Sequence, residues 1–527
     1  MASPKEQTFA VGPFRRVRTT PNPYDDAASD TVADAINCYM ADPVSGGGIY
    51  QRPGTTTWGP VAAANEGQCV YSHTALSGTN YNFFFINGRL YRQSTDLSTT
   101  PTDVTPVGVA ISATPRVYVT SLADSIIVND GVNRPWIGTN LGGSPITGTY
   151  IDYDGAGGAW VAFGQPVIYT GAVFFILASV GGVAARTTIA WSEPNQPGVG
   201  YQQTDYDNAW TLTQTGSSPL YALAATNEAL YYSRDLSWGA ITGAPGVNFQ
   251  NTATHDLVSA NVGCTTPATV KRFLNYVYFA DANGRPWRFA VGGIPEPIWL
   301  QAQTRFDGAG FSPSRVTGNW CAVIEPNLNV YVLGYAGSVS SGHQFSDVIV
   351  FDAVTGIYFG RWSFLIAAIS AVGIMRNSDG LPQLVYIEAP IAGNVRFFKL
   401  ALVTDGIWTD GGVSMGPSVQ TGKMGYSAST AWTFPRSRII VGYRSGSPAE
   451  ISIGFATTQQ TVTAGAATFI ASPPETGLYR MTRDPAQLRG RDVAMTVNAP
   501  GLVVTAQFRL YRAEIDAIPS TANVDEW

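Results

Sequence analysis

Apolar and polar positions alternate in short bursts along this chain, and the bursts come in returning pairs. In Phe83-Phe84-Phe85-Ile86-Asn87-Gly88-Arg89-Leu90-Tyr91 an aromatic-rich apolar segment meets Asn-Gly, and an aromatic-bearing segment returns. Val277-Tyr278-Phe279-Ala280-Asp281-Ala282-Asn283-Gly284-Arg285-Pro286-Trp287 repeats the form. Looser copies are Ile126 to Gly131, Val348 to Gly356, and Leu384 to Ile387 returning at Asn394 to Phe397. Asn-Gly and Asp-Gly suit tight hairpins because the turn needs positive φ, which glycine accepts without a steric penalty. Clear alternation also marks Arg116 to Thr120 and Asn329 to Leu333. Hairpins recurring at spacings of roughly 40 to 70 residues predict the blades of a β-propeller. The number of blades is not readable, because the copies are uneven.

The pattern divides the chain into three parts. Residues 1–60 read as an N-terminal arm with lead-in strands. Within them, Asp30 to Met40 predicts a short helix, with Val32, Ala35, Ile36 and Tyr39 on one face. Residues 61–404 read as the propeller with inserted loops. The uncharged run Pro166 to Ala185 reads there as two buried strands around a Gly-rich turn rather than a membrane span. Residues 405–527 alternate again, from Arg438 to Tyr443, Ala449 to Phe455, Val493 to Val497 and Val503 to Leu510, and predict a small C-terminal β-sandwich. Ile515 to Trp527 read as an acidic tail, flexible or clipped onto a neighbour. The predicted fold class is all-β.

Composition narrows the function classes. Charged residues make up 13% of the 527-residue chain, about half the roughly 25% usual in globular proteins. That fits either a surface covered by neighbours in an assembly or an extracellular β-protein with a polar, uncharged face. A net charge of −6 argues against a protein that clamps DNA phosphates. It is compatible with a wall along which DNA slides. No secretory leader is evident at Met1 to Gln7. Cys38, Cys69, Cys264 and Cys321 are far apart, with no CxxC pair. Each reads as a small buried hydrophobe of a reducing compartment.

Candidate chemistry is sparse. His73, His255 and His343 have no neighbours in sequence that make a triad or metal site. Sialidase-type propellers repeat a Ser-x-Asp-x-Gly-x-x-Trp box. Its nearest match here, Ser233-Arg234-Asp235-Leu236-Ser237-Trp238, lacks the glycine and occurs once. Asp152, Asp154, Asp205 and Asp207 are the carboxylates a glycosidase would pair, and they equally suit turns. Gly46-Gly47-Gly48 has no lysine after it and makes no phosphate cradle. Arg15, Arg16 and Arg18 are too few for a nucleic-acid patch. The sequence predicts no catalytic, cofactor or metal residues and no enzyme.

Several segments, taken in order, resemble one family. They are Ala35-Ile36-Asn37-Cys38-Tyr39 with Tyr50-Gln51-Arg52-Pro53-Gly54, then Ile189-Ala190-Trp191-Ser192-Glu193-Pro194, then Leu220 to Leu223 with Ala229 to Tyr232 and Trp238. They continue with Val262-Gly263-Cys264-Thr265-Thr266-Pro267 before Asn275 to Phe279, and with Ser346 to Asp352 before Gly360-Arg361-Trp362-Ser363. This order resembles the tail nozzle, or packaged-DNA stabilisation protein, of short-tailed bacteriophages (podoviruses). The Ser-Glu-Pro segment lacks the Thr-Trp that usually follows it in the family, and the C-terminal region matches poorly. The resemblance implies a structural virion protein in a homohexameric ring at the distal end of the tail, made in the host cytoplasm. Its implied partners are a head-to-tail adaptor, tail spikes or fibres, and double-stranded DNA that passes without sequence-specific binding; no membrane span is expected. Loops from each copy would plug the channel, and Asp152 to Ala159 and Gly334 to His343 are candidates as small-residue insertions. The alternatives are a propeller depolymerase that cleaves glycans and a propeller adhesin that binds them.

Overall fold

In a computed structural model, residues 7–11, 16–17, 31–40, 48–62, 66–113, 116–155, 158–203, 205–213, 216–246, 248–303, 306, 321–335, 347–364, 368–410, 413–421, 432–444, 451–457, 461–467, 478–483, 488–490, 492–499 and 507–519 are described. Tight turns make each alternating segment pair with its sequence neighbour, and the result is a series of antiparallel blades. Asn87 and Gly88 take φ of 51° and 71°, which is the turn that lets Asn80–Ile86 pair back onto Arg89–Gln93.

Seven blades form among the described residues. Their innermost strands, in order, are Gly67–Thr74, Tyr118–Leu122, Trp160–Tyr169, Ala222–Ala225, Lys271–Phe273, Cys321–Glu325 and Ile369–Arg376. Each packs against the next, and the seventh packs back onto the first, so the ring closes. Blade 7 takes its outer strand from far upstream: Thr55–Ala62 pairs antiparallel with Asn394–Leu400. The two ends of the propeller are thereby sewn together by main-chain hydrogen bonds.

The blades stack face to face, which explains their near-continuous apolar strands. Phe83 and Phe85 pack toward blade 2 with Ile126, Val128 and Trp136. Phe84 and Ile86, pointing the other way, join Trp58, Val385 and Phe397 of blade 7. Ile127 turns from its neighbours to meet Trp160, Val173 and Phe175 of blade 3. Phe174 and Ile176 continue with Leu223 and Tyr232 of blade 4. Period-2 alternation therefore alternates between two neighbouring blades rather than between core and solvent. Pro166 to Ala185 is β, as read from sequence, in the strands Trp160–Tyr169, Ala172–Val180 and Val183–Ala184.

The C-terminal region is a two-sheet, sandwich-like unit, and it borrows strands from the start of the chain. One sheet runs Cys38–Met40, Ile49–Gln51, Gln507–Pro519, Trp432–Arg444, Leu478–Arg483, with Gln7–Val11 also paired to Gln507–Pro519. The other runs Thr31–Ile36, Ser418–Thr421, Ala494–Asn498, Ile451–Ala456, Thr461–Ala467, and joins blade 6 where Ile36 pairs with Arg361. One apolar core, containing Phe351 and Trp362 of blade 6 with Val419, Phe434, Ile453 and Phe508, runs through both units. Strands from the first 60 residues thus lie in sandwich and propeller alike.

Two sequence expectations are corrected here. Of the stretch Asp30 to Met40, residues 31–40 are described and are not helical: Thr31–Ile36 and Cys38–Met40 are strands broken at Asn37, which has φ 55°. Partners on both sides, Ser418–Thr421 and Ile49–Gln51, supply sheet pairing that local helix preference does not match. The tail does not begin at Ile515. Ile515 and Ala517 are fully buried in Gln507–Pro519, between Trp432–Arg444 and Gln7–Val11. A bulge between Ile440 and Val441 leaves an extra residue at Tyr511, which breaks the alternation by eye. Residues 520–527 lie outside the described residues.

Candidate functional site

The segments that carry the family resemblance are far apart in sequence, and the fold brings three of them to one buried joint. Arg52 is fully buried between propeller and sandwich. Its guanidinium forms a two-pronged pair with Asp410, at 3.0 and 2.6 Å. It also donates to the Pro53 and Ser363 carbonyls and to Asn37 Oδ1, and its Cζ lies 4.6 Å from the centre of the Phe364 ring. Asn37 uses its other polar atom too, donating to the Met415 carbonyl at 2.6 Å, while Oδ1 accepts the Ser363 N–H at 2.9 Å. Trp362 donates its indole N–H to the Cys38 carbonyl at 2.8 Å. A planar fork with five donors suits such a site; lysine would leave most of these acceptors unserved. The glycines fit close backbone approach: a Cβ on Gly54 would stand 2.2 Å from the Thr409 carbonyl, and one on Gly360 2.3 Å from that of Ala35.

Another segment, Val262 to Pro267, meets the turn that follows Ala229 to Tyr232 between blades 4 and 5. Ser233 Oγ donates to the Cys264 carbonyl at 2.8 Å, and the Cys264 N–H bonds the Arg234 carbonyl. Here Gly263 is held so closely that an added Cβ would lie 1.9 Å from that same carbonyl. In blade 3, Ser192 Oγ accepts the Val173 N–H, and Glu193 accepts from Asn208 Nδ2 at 2.9 Å. These residues are fastenings of the fold.

Two of the four carboxylates weighed for sugar chemistry have contacts within local structure. Asp154 accepts the Gly158 N–H, and Asp207 accepts from the Gln202 and Gln250 amides. Asp152 contributes its carbonyl to Gln203, while Asp205 lies in an exposed turn. Ser233 to Trp238 is a hairpin turn closed by Arg234 N–H to the Ser237 carbonyl. A more regular use of carboxylate recurs at strand ends. Asp130, Asp281 and Asp352 each accept main-chain N–H groups of the turn that follows, at Val132, Asn283 and Val354. His255 stacks on Tyr232 and hydrogen-bonds its hydroxyl, His73 is buried in blade 1, and His343 lies outside the described residues. Burial pushes the Cys69 and Cys264 thiols up to about 12, so both are protonated at neutral pH. Among the described residues no cluster of three or more His, Cys, Asp or Glu is placed to hold a metal. No helix there is long and apolar enough to cross a membrane. Of the loops considered as plugs, 156–157 and 336–343 lie outside the described residues. So do Arg15, Arg18, Gly46 and Gly47.

The propeller axis holds a cavity of about 170 Å³. Its wall comes from the innermost strands of blades 1, 2, 3, 5, 6 and 7 and the residues just before them, and its titratable groups among the described residues are Cys69, Tyr71, Arg116, Tyr118, Lys271 and Cys321. Among the described residues no carboxylate lines it. Burial lowers the pKa of Lys271, and the titratable groups acting on it are Cys321, Cys69 and Arg116. Sequence reading passed over Lys271 and Arg116. The available signal is a cation at, or just before, an innermost strand, where apolar or small residues are the rule.

No family model matches the chain, and no curated protein matches it significantly. Among solved structures, the WD40 repeats of RRP9 align at TM-score 0.42 and 10% identity, over 67% of this chain and 100% of that one. BBS1N, crystallised in complex with ARL6DN, gives 0.40 and 10% over 67% and 98%. PorZ, a surface component of the type-IX secretion system of Porphyromonas gingivalis, gives 0.38 and 12% over 64% and 39%. With TM-scores below 0.5, the architecture rests on the blades themselves.

Proposed function

We propose that this chain is a structural ring subunit, the tail nozzle of a short-tailed phage, which retains packaged DNA and lets it pass on ejection. The observation that carries the reading is the convergence at Arg52. Asn37-Cys38-Tyr39, Arg52-Pro53-Gly54 and Gly360-Arg361-Trp362-Ser363, three segments of the resemblance, form one joint that locks sandwich to propeller. A rigid two-part body is what a load-carrying ring needs, since each copy must present one face to the next and close by rotation. The low charge fits extensive contact between copies, and the acidic balance fits DNA gliding. A B-form duplex, whose major groove alone is about 12 Å wide, does not fit the axial cavity of about 170 Å³. DNA therefore passes between copies, through the bore of the ring. Asp154 and Asp207, two of the four carboxylates that an enzyme would pair, fasten loops, which favours a non-enzymatic role.

The test is to incubate the purified chain with the adaptor ring of a short-tailed phage and image the mixture by negative stain, assaying reducing-end release from capsular polysaccharide in parallel. Hollow sixfold rings seated on the adaptor without sugar turnover support the reading. Isolated particles that release sugar overturn it in favour of the depolymerase.

A further inference from the structure

Blade 4 presents a long open sheet edge. Its last strand, Thr254–Ser259, pairs on one side with Trp238–Thr242, and no described main-chain group pairs with its other side. Elsewhere the outer edge is the two-residue Thr102–Asp103 in blade 1 and Glu296–Pro297, with its proline, in blade 5. Blade 6 is covered by Thr31–Ile36 and blade 7 is closed by Thr55–Ala62. Shortness, proline and cover keep sheet edges from pairing. The six residues Thr254–Ser259 hold no proline, lysine or arginine. Beside them lies a groove of about 350 Å³ between blades 4 and 5, with room for side chains rather than a few waters. It exists because residues without bulk line it from both blades, Ala229 and Ala240 on one and Gly292 and Gly293 on the other. The Tyr231 hydroxyl accepts the Gly292 N–H at 3.2 Å and pins the blade 5 turn in place. Leu257 and Ile294, both on the groove, are 56% and 78% exposed. Glu228 and Asp256 line it too, and neither carboxylate accepts a hydrogen bond or ion pair from a described residue. No Lys or Arg is among the described residues of its wall. Arg272, on the adjoining hairpin of blade 5, is taken up by Asn227 Oδ1 and the Leu274 carbonyl.

We propose that the outer edge of blade 4 and the groove beside it bind an extended segment of a partner protein, one that carries Lys or Arg two residues from an apolar side chain. The segment adds a strand to the four of blade 4, its main chain bonding the outward N–H and C=O groups of Thr254–Ser259. Every second side chain of an added strand lies on one face, so residues two apart reach over the groove together. The apolar one enters beside Val258, Val291 and Ile294, and the cation meets Glu228 or Asp256. Two carboxylates with no cation among the described wall residues set the sign of the partner. They also disfavour self-pairing, since an identical strand from a second copy would bring its own acid to an acidic edge. This inference stands apart from the ring reading.

The test selects binders to the immobilised full chain from a displayed library of random octapeptides. The selected peptides are then synthesised with a fluorescent label and their affinities read by polarisation. Enrichment of peptides with an apolar and a basic residue at i and i+2 is expected. Glu228→Gln combined with Asp256→Asn should weaken these peptides about tenfold or more, the loss of a charge-assisted hydrogen bond. Ile294→Ser should weaken them about fivefold, the loss of one apolar contact. Leu236→Ser, at a leucine 60% exposed but outside the groove, should leave binding unchanged. All these side chains are exposed, so folding is not at stake. On the unaltered chain, bound peptide should slow hydrogen exchange of the Thr254–Ser259 amides. Selection that yields no peptide, or only acidic or patternless ones, overturns the proposal. So do peptides that bind the doubly substituted chain equally well or leave exchange at Thr254–Ser259 unchanged. Self-association of the chain that Ile294→Ser abolishes would give the groove to a second copy, and overturns it as well.

Discussion

At the scale of single residues, the joint at Arg52 is where the fold is most exposed to damage. Its guanidinium and the Asp410 carboxylate are 0% and 4% exposed, 2.6 Å apart. Removing one partner strands the other charge out of water, so Arg52→Met should cost about 3–5 kcal/mol in chemical denaturation. Adding Asp410→Leu should recover much of that loss, since a desolvated pair is close to break-even against an apolar replacement. A second variant no milder than the first would show that Arg52 acts through its carbonyl contacts alone. Histidines give a pH signature. Burial depresses the pKa of His73, with Asp124 opposing, and of His255, with Asp256 opposing and Arg234 assisting. Folded values below the ordinary 6.5 mean that the unfolded chain takes up these protons first as pH falls. Their contribution is complete above pH 6.5, is lost as pH drops toward the folded values, and levels off below them. Replacing His255 with Phe, which keeps a ring against Tyr232, should flatten part of that acid limb in denaturant melts at pH 7.5 and 5.5.

At the scale of elements, the seam between the propeller's ends makes the clearest prediction. Trp58 of Thr55–Ala62 stacks on Phe397 at 5.6 Å and donates to Gln93 Oε1 at 3.1 Å, touching blades 7 and 1 together. Trp58→Ala should cost about 3–5 kcal/mol. Hydrogen exchange should show the amides of Asn394–Leu400 losing protection before those of blade 4. Uniform loss across all blades would mean that the seam is no weak point. Glycines test the close approaches. Gly263→Ala should destabilise by about 1–3 kcal/mol, because its Cβ meets main chain. Gly246→Ala, with open space around it, should stay within about 0.5 kcal/mol.

Hairpins such as Phe83 to Tyr91 were legible because a two-residue period and an Asn-Gly turn are local facts. Blade number was not, since Lys271–Phe273 and Ala222–Ala225 are too short to show a period and the last blade is completed from Thr55–Ala62. Asp30 to Met40 misled because its apolar spacing fits a helix, while the pairing that decides it lies at Ser418–Thr421. The partner of Arg52 is 358 residues away, and the cavity that Lys271 and Arg116 both line exists only once the ring closes.

At the scale of the whole molecule, a closed propeller continuous in core with a sandwich makes one stiff body rather than two hinged ones. We propose that this body is a segment of a larger ring, its sparse charge reflecting surface covered by neighbouring copies. The measurement that tests this most directly is native mass spectrometry of the purified chain, alone and with the adaptor ring. A species of six times the 56.1 kDa chain mass, free or on the adaptor, is the predicted result. A chain that remains a monomer in both conditions contradicts it.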